Sequence, residues 1–391
     1  MSEIQERAPM RHWHSMSVEA AGSSTHLSKR IAGLDGIRGI AVLAVVGCHT
    51  SIPFMLGGGI GVDIFFVLSG FLISRVLIAE FMATGRIDFA GFYWRRFLRI
   101  VPPLIILCLG WLCLALIFDI SLRSLARDFS VTLTFIADYT RSRGGIPHFL
   151  APTWSISVEE QFYLIWPFVA IGLLTFIRAR QSIVSILVLT AVAVGAWRFH
   201  RFETTAPDDL VAVYDSFDAR FDALCLGCAL AFLTEENLRI IGKLWPAAVI
   251  VIAGFIYASA WNQPWMYLGG FSLIGISSAI LIAAVASRSS PMLAMTLDSG
   301  PLLWFGTISY SLYLWHWPPL LIMMIKGYSG YSLLLSIPIS IVLAAASTRL
   351  VERQATLLKP MGSRSIRIVV SLVVPVLFVI GVLFVPPSVH R

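Results

Sequence analysis

The sequence predicts an all-α polytopic membrane protein with about eleven transmembrane helices. Three observations carry that expectation. The 391 residues are 57% hydrophobic and only 13% charged, and the mean hydropathy of +0.81 is far above that of a soluble domain. Apolar stretches of about 20 residues, the length a bilayer crossing needs, recur along nearly the whole chain and leave no room for a soluble domain. Lys and Arg concentrate in alternate connections, as the positive-inside pattern requires.

Taken in order, residues 1–30 are polar, carry Arg7, Arg11, Lys29, Arg30 and three histidines, and lack the apolar core of a signal peptide. They are expected to form a flexible cytoplasmic tail, with the first apolar segment an uncleaved anchor. Spans are predicted near 36–55, 60–80, 100–118, 157–177, 182–199, 218–233, 245–261, 267–286, 302–324, 331–348 and 367–386. Segment 125–139 is moderately apolar but interrupted by Asp128 and Asp138, so it lies outside that set.

The basic residues check the count. Arg86, Arg95, Arg96 and Arg99 follow the second span, Arg178 and Arg180 the fourth, and Arg349, Arg353, Lys359, Arg364 and Arg367 the tenth. Intervening connections are nearly uncharged, mixed or, at 203–218, acidic. This places the amino terminus inside and the carboxyl terminus outside a cytoplasmic membrane. Three regions follow: the tail 1–30, a membrane domain 31–353, and 354–391 with a linker, an extra helix and a short external end.

Composition also excludes function classes. The net charge of +7 is dispersed among particular loops, so nucleic acid is not an expected partner. Cys48, Cys108, Cys113, Cys225 and Cys228 all lie in apolar segments, which argues against a disulfide framework or a zinc knuckle. Cys225 and Cys228 are read as two small packing residues.

The stretch "LDGIRGIAVLAVVGCHT" carries the first functional signal. Eleven helical steps from Arg38 to His49 make three turns plus about 20°, so both side chains share one face about 16 Å apart in depth. Asp35 lies on the same stripe. Arg38 has a bland alternative, snorkelling at the interface. His49 is costly inside the hydrocarbon unless it faces a cavity or a functional path.

The short loop near 56–59 makes the first two spans a hairpin, which brings Asp63 to the depth of His49. A carboxylate there would orient the imidazole. The alternative makes Asp63 a structural partner of a backbone amide or of Arg220. "APTWSISVEEQFYLIWP" brings Ser155, Ser157, Glu159, Glu160 and Gln161 to the outer half, and "ISYSLYLWHWPPL" brings Ser309, Tyr310, Tyr313 and His316 to a similar level. So many polar groups indicate a cavity rather than decoration facing lipid. No compact ligand motif supports a metal site of His49, His316 and a carboxylate. On the inner side, "FYWRRFLRIVPPL" sets Arg95, Arg96 and Arg99 before the third span. Arg96 and Arg99, three apart, suit a ligand bearing phosphate, although arginines there also fix topology and touch anionic membrane lipids.

In order and spacing, the Arg38-x10-His49 pair, "GVDIFFVLSGFLIS", Arg96-x-x-Arg99, "WSISVEEQFY" and "SYSLYLWHWP" resemble the membrane-bound acyltransferase-3 family, from about residue 34 to about 353. The resemblance implies a core of ten of the eleven spans and an O-acyltransferase that takes an acyl group, usually acetyl, from cytoplasmic acyl-CoA. The acceptor would be a hydroxyl of a glycan, glycolipid or similar molecule. It implies His49 as the catalytic histidine and Arg38, Arg96 and Arg99, with Arg95 beside them, as the residues that meet acyl-CoA. Acyl-CoA is a co-substrate, and no permanently bound cofactor is expected.

With that ligand, Asp63 or Glu159 would orient His49, and Tyr310, Ser309 or Trp154 would donate to the oxyanion. Glu160 and His316 complete the expected acceptor site. Direct transfer and an acyl-histidine intermediate both remain open. Cys48 points about 100° away from His49 on the helix and is disfavoured as a nucleophile. Some members carry an esterase-like carboxyl-terminal domain; the expectation here is the stand-alone form, ending in "VPPSVHR". The rival readings are a secondary transporter, with His49, Asp63 and Glu159 as a proton or substrate site, and a catalytically silent scaffold.

Overall fold

Every regular element is helical among the residues described by the computed structural model, 32–143, 145–258, 260–358 and 363–384. The expected tail 1–30 and the short terminal segment 385–391 lie outside the described residues. The main helices are α1 (Ala32–His49), α2 (Gly61–Thr84), α3 (Phe89–Phe118), α4 (Leu122–Leu133), α5 (Thr153–Phe176), α6 (Arg180–Thr204), α7 (Phe217–Ala231), α8 (Trp245–Ala258), α9 (Phe271–Ala286), α10 (Gly300–Thr307), α11 (Ser309–Trp315), α12 (Trp317–Ile325), α13 (Ser336–Ser347) and α14 (Arg364–Phe384).

Among the described residues six helices are long and apolar enough to cross a membrane, or seven if α8 is joined to Glu235–Gly242 across a 58° bend. These cover seven of the eleven predicted spans. The other four predicted spans, 36–55, 157–177, 218–233 and 302–324, fall on α1, α5, α7 and the run α10 to α12. Their departure from simple apolar rods has a common cause. Asp35 and Arg38 interrupt α1, Glu159 and Glu160 interrupt α5, and Asp218, Arg220 and Asp222 interrupt the 15 residues of α7. The run 300–325 is cut at Ile308 and His316, and Pro318 and Pro319 remove the backbone donors that would have carried the helix across the second cut. Segment 125–139 forms no span. There α4 is 12 residues long, and Asp128 turns inward to accept the backbone N–H groups of His148 and Phe149 at 2.8 and 2.6 Å.

The packing is set by small residues at two crossings. A Cβ added at Gly227 of α7 would collide with the Val67 carbonyl of α2, and one at Gly70 with the Leu224 carbonyl of α7. The α1–α10 crossing is built alike, with Gly306 against the Asp35 carbonyl and Gly39 against that of Leu302. Helices without hydrophobic drive between them gain their contact from such close backbone approach. Two buried ion pairs tie α7 to its neighbours: Arg220 Nη2 to Asp63 Oδ1 of α2, and Arg198 Nη1 of α6 to Asp222 Oδ1, both 2.8 Å. The last helix, α14, packs on α3 and α4 and leaves most of its apolar surface outward.

Candidate functional site

Because α1 runs unbroken from Ala32 to His49, it carries a cation at one end and an imidazole at the other. At the first end Arg38 is approached by Asp35 at 3.4 Å. It lines a cavity of about 90 Å³. Arg96 and Arg99 enter the same wall from α3, Ser69 from α2, Glu159 and Tyr163 from α5, and Ser309, Tyr310 and Tyr313 from α11. The three arginines that the family resemblance groups together therefore meet in one cavity.

Its polar wall is ordered by a short chain of bonds. Ser69 Oγ donates to Glu159 Oε1 at 2.8 Å, Tyr163 Oη donates to Glu159 Oε2 at 3.0 Å, and Ser69 and Tyr163 are themselves 2.8 Å apart. The Arg96 guanidinium lies over the Tyr163 ring at 5.0 Å, a cation–π contact. Among the described residues neither Arg96 nor Arg99 spends its guanidinium donors on a hydrogen bond or an ion pair within the protein. Their guanidinium donors are thus available to an anion in the cavity both residues line.

At the other end, His49 is half-buried and its Nδ1 lies 3.1 Å from Nε2 of buried His316. The two rings are 21° from parallel, with centroids 5.1 Å apart. Trp317 presents its ring to His49 at 5.5 Å. Neither histidine is in the cavity wall, but Tyr313 joins the two regions: it lines the cavity and its ring is 5.7 Å from that of His316. Tyr313 is fixed by donation to the Pro152 carbonyl at 2.8 Å and by contact with Ser155 at 2.7 Å.

Two expected pairings with His49 are not formed, and other expected residues lie apart from the arginine cavity or are engaged within it. Asp63 does not pair with His49. Its Oδ1 is held by Arg220, whose guanidinium packs 4.0 Å from the Phe271 ring centre, so the alternative partner is the one found. Glu159 does not reach the imidazole either; it belongs to the arginine cavity, because α5 is long enough to carry it a full turn beyond Ser155. Arg95 is not in the wall with Arg96 and Arg99 but lies 3.7 Å from Glu80 and is half-exposed. Tyr310 lines the arginine cavity, but its hydroxyl donates to the Ile100 carbonyl at 2.9 Å and is not free to meet an oxyanion. Trp154 packs between Phe66 and Tyr214 outside the cavity wall. Glu160 is buried outside that wall as well.

Sequence reasoning passed over Ser69, Tyr163 and Glu352. Tyr163 stands four residues after Glu159, so one helical turn stacks them, and that spacing was a usable signal. Glu352 accepts from Ser311 Oγ at 3.2 Å, a contact 41 residues distant that no local pattern reports.

Chemically, the site offers anion donors at one end of α1 and a paired imidazole at the other, about 16 Å away along the helix. Among the described residues no group of three His, Cys, Asp or Glu side chains is placed to hold a metal ion. A family described as an acyltransferase domain matches residues 31–351. The O-acetyltransferase OatA of Staphylococcus aureus is 32% identical over 349 residues, covering 82% of this chain and 56% of that protein. A putative peptidoglycan O-acetyltransferase of Bacillus subtilis, YrhL, is 32% identical over 357 residues, 84% of this chain and 55% of its own. The peptidoglycan O-acetyltransferase OatA of Listeria monocytogenes is 31% identical over 309 residues, 74% and 49% respectively. The chain thus spans about half the length of these curated relatives. No solved structure matches.

Proposed function

The chain belongs to the acyltransferase-3 family of multi-pass membrane proteins, and from that premise we propose that it transfers an acyl group, acetyl first among the candidates, from acyl-CoA to a carbohydrate hydroxyl. The relatives named for peptidoglycan make a cell-envelope glycan the acceptor class to test first. The observation that carries the donor assignment is the pair of unspent guanidiniums, Arg96 and Arg99, beside Arg38 in one cavity. Phosphate oxygens match such forks in charge and in geometry.

In this reading the arginine end of the cavity faces the cytoplasm, in keeping with the basic connection after the second span. Arg38, Arg96 and Arg99 hold the phosphates of the donor, and Glu159, fixed by Ser69 and Tyr163, sets the arginine side of the wall. The extended arm runs from the arginines past Tyr313, which lines the cavity and touches His316, and so brings the thioester toward the His49 end of α1. There His49 acts as general base. It takes the acceptor hydroxyl proton as the oxygen attacks the carbonyl, the C–S bond breaks as the intermediate collapses, and the proton passes to the departing thiolate.

Membranes containing the protein or its His49→Ala variant at matched folded levels, supplied with radiolabelled acetyl-CoA, test this directly. Label should enter a glycan or glycolipid fraction only with the histidine present. Equal labelling by both proteins would remove His49 from the reaction.

A further inference from the structure

Mechanisms that use a histidine base need one ring nitrogen unprotonated, and the usual device for securing it is a carboxylate or carbonyl on the other nitrogen. Asp63 and Glu159 are both engaged elsewhere, so the acceptor that serves His49 must be sought among its actual neighbours. They are His316, 3.1 Å from Nδ1, and the Val45 carbonyl one helical turn back, which also accepts from the ring.

We propose that His316 is a positioning residue that fixes the tautomer of His49 through a two-step relay from the Tyr313 carbonyl. The direction of the relay follows from what each atom can do. His316 Nδ1 is 2.7 Å from the Tyr313 carbonyl oxygen. A carbonyl only accepts, so His316 Nδ1 carries its proton. A neutral imidazole with its proton on Nδ1 has a lone pair on Nε2, and that atom faces His49 Nδ1. His49 must then donate from Nδ1, which leaves its Nε2 with the lone pair. The rings lie 21° from parallel with centroids 5.1 Å apart.

The sequence secures the same geometry from below. His316 sits at the break between α11 and α12, its own N–H satisfied by the Leu312 carbonyl at 2.9 Å. Pro318 and Pro319, at the first turn of α12, have no N–H to bond back into α11, so no continuous helix runs through His316. His316 is 1% exposed, so water does not compete for either ring nitrogen. This inference rests on the reading of His49 as general base. During transfer the acceptor O–H proton goes to His49 Nε2 while Nδ1–H stays on His316, and the same proton leaves with the thiolate as the C–S bond breaks.

The test combines ¹⁵N-histidine NMR with kinetics on the full chain in lipid nanodiscs. It uses wild type, His49→Gln to assign the His49 signals, His316→Leu to remove the acceptor, and His316→Gln to offer an amide oxygen in its place. Wild type is expected to show His49 protonated on Nδ1 only. His316→Leu should move His49 toward the Nε2–H form and lower kcat about 100-fold, with KM for acetyl-CoA unchanged within about twofold. His316→Gln should recover activity to within about tenfold of wild type. Nε2–H on His49 in wild type, or a His316→Leu protein with unaltered tautomer and kcat, would overturn the proposal. If His316→Leu does not fold, the wild-type tautomer and the glutamine variant decide the matter alone. A wild type with the expected, His316-dependent tautomer that transfers no acyl group would overturn the acyltransferase reading and leave the pairing intact.

Discussion

Arg96 and Arg99 stand three residues apart on α3 and face the same cavity, whereas Arg95 between them and the loop turns to Glu80. Three adjacent basic residues therefore should not behave alike. Arg99→Ala and Arg96→Ala are each expected to raise KM for acetyl-CoA by about 10-fold or more with kcat little changed, the loss of one charge-assisted phosphate contact. Arg95→Ala should leave both constants within about twofold; steady-state kinetics on the three variants separates them. A second residue outside the spans makes a stability prediction. Burial pushes the Asp138 carboxyl up to about 7, against lowering by the Gln161 side chain that donates to it at 2.7 Å. Its folded value lies above the unfolded value of about 3.9. The stabilising contribution is then complete below about pH 4 and is lost as pH rises toward 7. Asp138→Asn keeps an acceptor for Gln161, so thermal unfolding of that variant should lose most of this slope between pH 4 and 7.

At the scale of elements, the α2–α7 contact combines a glycine crossing with a buried ion pair. Gly227→Val would drive a branched side chain into the Val67 carbonyl. A destabilisation of about 1–3 kcal/mol is expected, seen as a lower melting temperature in detergent. Arg220 and Asp63 are 1% and 2% exposed at the side chain. Removing one partner strands the other, so Arg220→Met alone should cost about 3–5 kcal/mol. The double variant Arg220→Met, Asp63→Leu should recover much of that loss in the same melting assay. If the single and double variants melt together, the pair is not what holds these helices.

For the whole molecule, the four predicted spans that fail as plain apolar rods supply much of the polar interior. Arg38 and His49 share α1, Glu159 and Tyr163 share α5, Arg220 and Asp222 share α7, and Tyr310, Tyr313 and His316 divide the broken run α10 to α12. Of the long apolar helices, α2 and α3 add Ser69, Arg96 and Arg99 to the site, whereas none of the residues lining the cavity comes from α14. This arrangement gives the proposed reaction a side. Acetyl-CoA should support transfer only when offered from the face bearing Arg86 and Arg95, a point that sealed vesicles of the two orientations can check. Equal use from both faces would contradict the cavity as donor entrance.

Composition, hydropathy and the alternation of basic loops were enough by themselves to determine an all-helical membrane chain, and the order of its short motifs carried the family resemblance, since both are local patterns. The eleven-residue spacing of Arg38 and His49 was legible for the same reason: an unbroken helix converts sequence separation into azimuth and depth. The convergence of Arg38 with Arg96 and Arg99 was anticipated only through the family resemblance. Partner choice could not be anticipated. Asp63 and His49 stand at matched distances from one turn, yet Arg220, 157 residues further on, takes the carboxylate, and His316, 267 residues beyond His49, takes the imidazole. Two helices at the same depth still differ in rotation, and rotation is set by the crossings at Gly227 and Gly306 and by the break at His316. Those are properties of the packed molecule, decided by which backbones can approach closely enough to touch.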